Sequence, residues 1–176
     1  MKFSPTPIAG AFIVDTEPRG DERGSFSRIF CGAEFAAAGI EFAAVQISIA
    51  NSIHACTLRG MHFNAPPHQE AKLVRCIRGS IHEVAIDLRR DSSSYRQWIG
   101  VELSHGNGRA LFVPAGCAQG YLTLQADCDV LYQMDRAYVP GVDRGVRWDD
   151  PAFGVQWPQQ PLIIHPRDAN YPDFTG

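Results

Sequence analysis

Two stretches, Cys56-Thr57-Leu58-Arg59-Gly60-Met61-His62-Phe63 and Glu70-Ala71-Lys72-Leu73-Val74-Arg75-Cys76-Ile77, stand on either side of the proline pair Pro66-Pro67. Each has the length of a β-strand and mixes apolar residues with isolated charges, the pattern of a segment half buried in a sheet. Together they gather a cation (Arg59), a glycine (Gly60), a titratable base (His62) and a second cation (Lys72). If the two strands are neighbours in one sheet, period-two alternation aims Arg59, His62 and Lys72 into a shared cavity, given a bulge or bend near Gly60.

The same short-strand pattern extends outward. Further candidates are Ala43 to Ala50, Ile81 to Leu88, Gln97 to Leu103, Arg109 to Val113, Gly120 to Leu124 and Val130 to Asp135. Turn formers fall between them, at Arg78-Gly79-Ser80, Asp91 to Ser94, Gly106-Asn107-Gly108 and Pro114-Ala115-Gly116. About eight strands at this spacing with no helices between them predict an all-β jelly-roll barrel or sandwich and argue against a parallel α/β sheet. Upstream, Ala11 to Val14 reads as an edge strand in an arm that a partner subunit can exchange, and Gly20 to Phe26 as a charged turn entering a strand. Glu34 to Ala38 before Gly39 reads as a helix, the only convincing one. Beyond Pro140, aromatic and proline residues without periodicity predict an extended tail packed over the barrel.

A chain of 176 residues, 45% hydrophobic, suits one domain spanning residues 1–176. The net charge of −3 supplies no basic field for nucleic acid or an anionic membrane. An anion the size of a nucleotide remains compatible, because arginines recur at Arg19, Arg23, Arg59, Arg75 and Arg78. Five scattered cysteines without a CxxC pair read as thiols in a reducing compartment. With no apolar run near the roughly 20 residues of a membrane span and no signal-peptide pattern, the expectation is a cytoplasmic protein.

The chemistry turns on whether His62 binds metal or handles protons. Gly108, Pro114 and Gly116 fit the second metal-binding segment of cupin barrels, but Gln119 stands where its histidine would be, and a neutral amide substitutes poorly for imidazole. The expectation is no metal. Arg59 and Lys72 on core-facing positions imply an anionic ligand or carboxylate partners. A base beside fixed positive charge suits removal of a proton α to a carbonyl, with the ammonium stabilising the enolate oxygen. Such a base needs a carboxylate to orient it, and Asp168 is a candidate; inversion at carbon needs a donor on the opposite face, for which Tyr132 is a better candidate than Tyr138.

The ordered set Gly20-Asp21-Glu22-Arg23-Gly24 with Phe26, Leu58-Arg59-Gly60-Met61-His62-Phe63, Lys72-Leu73-Val74-Arg75, Asp87-Leu88-Arg89, Gln97 to Val101 and Arg147-Trp148-Asp149-Asp150-Pro151 resembles the dTDP-4-dehydrorhamnose 3,5-epimerases over nearly the whole chain. The resemblance implies a cupin-like barrel acting on a dTDP-linked 4-keto-6-deoxy sugar at C3, C5 or both, with no cofactor. It implies His62 as general base paired with Asp168, Lys72 polarising the C4 ketone and Tyr132 protonating from the other face. Arg23, Phe26 and Arg59 match positions that hold the nucleotide and its diphosphate, with Gln46 as a companion; Gln119 and Tyr138 complete the substrate-binding set. It further implies a homodimer with exchanged N-terminal strands. Two departures stand out: Gln119-Gly120 replaces the family's usual His-Gly, and Gln133 replaces the lysine that commonly follows the tyrosine. Besides double epimerisation, the sequence is compatible with a single-centre epimerase or keto-isomerase and with a non-catalytic sugar-nucleotide binding module.

Overall fold

A computed structural model describes residues 1–176. Its main elements are β1 (Lys2–Pro5), β2 (Phe12–Asp15), the hairpin β3 (Arg19–Asp21) and β4 (Gly24–Phe26), α1 (Gly32–Ala37), β5 (Gln46–Ser52), β6 (Thr57–Asn64) and β7 (Lys72–Arg78). There follow β8 (Ser80–Asp87), β9 (Trp98–Ser104), β10 (Ala110–Val113), β11 (Cys117–Thr123), β12 (Cys128–Met134), β13 (Asp143–Gly145), β14 (Ile163–Ile164) and α2 (Pro166–Ala169). Two antiparallel sheets face one another, one in the order β1-β2-β10-β7-β12-β5 and the other β13-β6-β11-β8-β9, with β14 added parallel to β6. This is the all-β barrel expected of the strand pattern, and every candidate strand of the central region is present with its ends moved by a few residues.

Three layers of apolar packing hold it. Between the sheets, alternate residues such as Val74 and Cys76 of β7, Ile81 and Ala85 of β8 and Val130 of β12 form the central core. Phe35 of α1 packs with Phe42 and Phe112 beside Leu73 and Ala110. That helix ends where Gly39 takes a positive φ of +75°, and the Ile40 N–H closes back on the Phe35 carbonyl. Outside the second sheet, Met61, Val84, Ile86 and Ala118 are covered by Val146, Phe153 and the tail aromatics Trp157 and Phe174, the tail packing that the sequence suggested.

Three expectations need correction. The strands β6 and β7 are not neighbours: β6 pairs with β11 and β13, β7 with β10 and β12, so they belong to opposite sheets. The connection through Pro66-Pro67 crosses between sheets, and the local pattern of two strands carries no information on that choice. The strand at Ala11 to Val14 is not an edge, because β2 lies between β1 and β10. The helix at Glu34 is joined by a second, α2, only four residues long and therefore without a periodicity to detect.

Gly60 and Gly120 control the site. The pairing of β6 with β11 shifts register between Gln119 and Tyr121, and Gly60 has φ +126°. A Cβ on Gly60 would lie 2.6 Å from the Gly120 Cα, and one on Gly120 would lie 2.6 Å from the Arg59 carbonyl oxygen. Only two glycines allow this approach. In a regular strand Arg59 and His62, three apart, would point to opposite faces. The irregularity at Gly60 turns Met61 into the outer core and brings both Arg59 and His62 to the inside. Gly60→Ala is expected to lower unfolding stability by about 2 kcal/mol or more in urea titration, because both the backbone conformation and the strand contact resist a methyl. A wild-type denaturation midpoint would contradict this placement.

Candidate active site

His62 lies on the inner face of β6 at the rim of a cavity of about 440 Å³ between the sheets. Its Nε2 donates to Asp168 Oδ1 at 2.8 Å, while Asp168 Oδ2 accepts the Gly60 N–H at 3.1 Å. One buried carboxylate thus fixes both the ring and the backbone that aims it. With Nε2–H committed, Nδ1 is the nitrogen left to take up a proton. Burial works against ionisation of Asp168, but the hydrogen bonds from His62 and Gly60 outweigh it and hold the carboxyl below its ordinary value of 3.8.

The chain delivers Asp168 by a local device. β14 adds to β6 through Ile163 and Ile164, opposite Thr57 and Leu58, and α2 begins at once behind it. Pro166 occupies the first turn, where its missing N–H is harmless, and the His165 ring accepts the Arg167 N–H at 3.2 Å. The adjoining Arg167 reaches Asp143 at 2.8 Å and Asp168 at 3.2 Å, with its guanidinium also 3.2 Å from His62 Nε2. The two carboxylates compensate the cation beside His62.

Across the cavity, β12 contributes Tyr132. Burial drives its phenol well above the ordinary 10.0, so it is a protonated donor at neutral pH. Gln119 on β11 is the register partner of His62; its Oε1 is buried without a hydrogen-bond partner. Arg59 opposes Tyr121 on the same strand pair and spans to β5, where Nε donates to Ser52 Oγ at 3.1 Å and Nη2 to the Asn51 carbonyl at 2.8 Å. The arrangement can remove a proton from one face of a bound carbon acid and return one from the other.

The fold does not assemble the whole expected set. His62, Asp168, Tyr132, Arg59 and Gln119 share the cavity, whereas Lys72, at the start of β7, pairs with Glu70 and does not line it. Gln46 and Tyr138 meet each other, the Tyr138 N–H donating to Gln46 Oε1 at 2.9 Å, away from that lining. Arg23 and Phe26 sit on the β3–β4 hairpin, Arg23 paired with Asp21 and Phe26 78% exposed beside Arg19 and Arg28. The recurring Arg75 is no anion site: it is buried and bonded to the Gly108 and Ile29 carbonyls, and burial lowers its guanidinium to about 10. Sequence reasoning missed His165, Glu70 and Glu83, and took from Arg167-Asp168 only the carboxylate. The adjacent opposite charges in an otherwise apolar tail were the available signal.

The family model described as dTDP-4-dehydrorhamnose 3,5-epimerase matches residues 5–176. The chain belongs to this family. It is similar to the dTDP-4-dehydrorhamnose 3,5-epimerase of Methanothermobacter thermautotrophicus, with 42% identity over 97% of this chain and 93% of that one. Its fold matches a crystal structure of the Bacillus anthracis str. Ames enzyme with TDP and PPi bound, at TM-score 0.94 and 34% identity, covering 98% of this chain and 99% of the other. It likewise matches the dTDP-6-deoxy-D-glucose-3,5-epimerase of Legionella pneumophila Philadelphia 1 in complex with dTDP-4-keto-L-rhamnose, at TM-score 0.89 and 31% identity, covering 96% and 89%. These likenesses make the chain an isomerase on a cupin-like barrel.

Because Asp168 has a depressed carboxyl pKa, its contribution to stability is complete above the ordinary value of 3.8 and is lost as pH falls through the folded value. Asp168→Asn is therefore expected to be less stable than wild type at neutral pH, with the gap narrowing in acid. Turnover is expected to fall by about 10²-fold or more as the base loses its orientation. A gap that stays constant down to strong acid would remove Asp168 from this pairing.

Proposed function

We propose that the protein is a cofactor-independent epimerase of a dTDP-linked 4-keto-6-deoxy sugar, inverting C3, C5 or both through an enolate. The observation that carries the reading is the His62–Asp168 pair on one wall of the cavity with the Tyr132 phenol on the wall opposite. His62 removes the proton α to the ketone, Lys72 compensates charge on the C4 oxygen, and Tyr132 protonates the carbon from the other face. Arg59 holds the diphosphate, with Gln46, Gln119 and Tyr138 as further contacts to the substrate. A positioned base contributes about 10² to 10⁴-fold and an enolate-stabilising donor about 10² to 10³-fold, without any cofactor.

The whole chain forms one domain in this reading, and the working form is a homodimer. Strand β5 ends the first sheet, and Val45, Ile47, Ile49 and Ile53 around it are 58–62% exposed. An apolar row on an open edge favours pairing with a second copy. An N-terminal arm carried across that interface would bring the partner's β3–β4 hairpin, with its Arg23 and Phe26 equivalents, to the nucleotide. Free thiols at all five cysteines suit the cytoplasm.

Incubation with dTDP-4-keto-6-deoxyglucose in heavy water is expected to place solvent deuterium at C3, C5 or both, read by mass spectrometry. His62→Asn should abolish the exchange and retain dTDP binding. No exchange by the wild-type protein, with ligand-dependent thermal stabilisation intact, would identify a binding module instead. Ile47→Asp with Ile49→Asp is expected to give a monomer by analytical ultracentrifugation, and a dimer that survives both changes would place the interface elsewhere.

A further inference from the structure

Two carboxyl residues on β8, Glu83 and Asp87, have no solvent exposure. Asp87 is fully engaged, accepting from Arg89, Ser92 and Ser94. Glu83 is the opposite case: neither Oε1 nor Oε2 has any partner. It alternates with Ile81 and Ala85 of the central core and lies in register opposite Tyr121. A carboxyl in this setting has either kept its proton or awaits a partner. Burial raises its pKa well above 4.5, and the single charge acting against that rise is the Lys72 ammonium.

Lys72 lies two and four residues before Val74 and Cys76 on β7 and so shares their inner face, which puts it and Glu83 on the facing sides of the two sheets. Its Nζ is bonded to Glu70, two residues earlier, an attachment that leaves it outside the lining of the cavity. Glu83 is the unoccupied alternative on the interior side. We propose that Glu83 is a positioning residue for Lys72: as the ammonium turns from Glu70 toward the ketone oxygen of the substrate, Glu83 becomes its second partner and fixes it there. This rests on the epimerase reading above and adds to it the group that draws the lysine inward.

An ammonium carries three N–H donors, so one can serve the substrate oxygen while another serves Glu83. The exchange is balanced by one proton: the Glu83 O–H bond breaks, the proton passes to water, and the carboxylate accepts from Lys72. The other groups that sense Glu83 are the phenols of Tyr121 on β11 and Tyr132 on β12, both neutral, while β9 presents Val101 in register. No arginine or histidine competes for its oxygens. Glu83 does not touch the reacting carbon; it acts through Lys72.

The test is a double-mutant cycle in kcat and KM with Glu83→Gln, Lys72→Gln and the pair, using deuterium exchange into the dTDP-4-keto sugar. Glu83→Gln should lower kcat roughly tenfold or more with KM changed less than about twofold, and should have almost no further effect in the Lys72→Gln background. Glu83→Asp should recover part of the loss, and it also carries the comparison if the glutamine variant fails to fold. Equal losses in both backgrounds, or wild-type kcat for Glu83→Gln, would overturn the proposal. Infrared difference spectra provide a reading independent of turnover: the resting protein should show a protonated-carboxyl stretch that Glu83→Gln lacks and that saturating dTDP-4-keto sugar removes. Absence of that band would also overturn it, whereas a wild-type protein that shows the band yet exchanges no deuterium would count against the epimerase reading alone.

Discussion

The contact between Gly60 and Gly120 is the constraint on which the rest of the site depends. Two backbones meet where any side chain would intervene, and the register slips at that point. The slip reverses the inward and outward alternation of β6, so a histidine that regular geometry would bury beneath the tail instead faces the cavity. Asp168 then locks the result by binding the Gly60 N–H and the imidazole with its two oxygens. A single carboxylate connects backbone shape to the orientation of the imidazole.

The electrostatics follow a division of labour between the two sheets. The β6 side carries Arg59, His62 and the Arg167 cluster, where cations and carboxylates are paired and partly open to water. The facing β12 side carries a phenol whose burial keeps it protonated. His62 and Tyr132 thus stand on different sheets in different surroundings, the imidazole held by a carboxylate and the phenol desolvated. Gln119, a register neighbour of His62, adds an uncharged acceptor between them.

Much of this was legible along the chain because barrel strands are short, bounded by turn residues and set by local alternation. The cluster Arg59, Gly60 and His62 could be read together, including the need for an irregularity at the glycine. What local pattern could not give was partnership across distance. The sheet assignment of β6 and β7 depends on a crossover through Pro66-Pro67, and it moved Lys72 from the sheet of His62 to the sheet opposite. The helix carrying Asp168 has four residues and exists because β14 docks on β6. Glu83 was equally invisible: an isolated glutamate in Ile81-His82-Glu83-Val84 gives no sign of which face of the strand it occupies until the register with Tyr121 is known.

The position of Asp168 in the chain also bears on biogenesis. All strands of the two sheets except the short β13 and β14 precede residue 135, and the carboxylate arrives later, on a strap that returns to β6. During synthesis from the N-terminus, the barrel has all its principal strands before His62 acquires its partner. A nascent chain can therefore shelter its core before the docking of the strap fixes the imidazole.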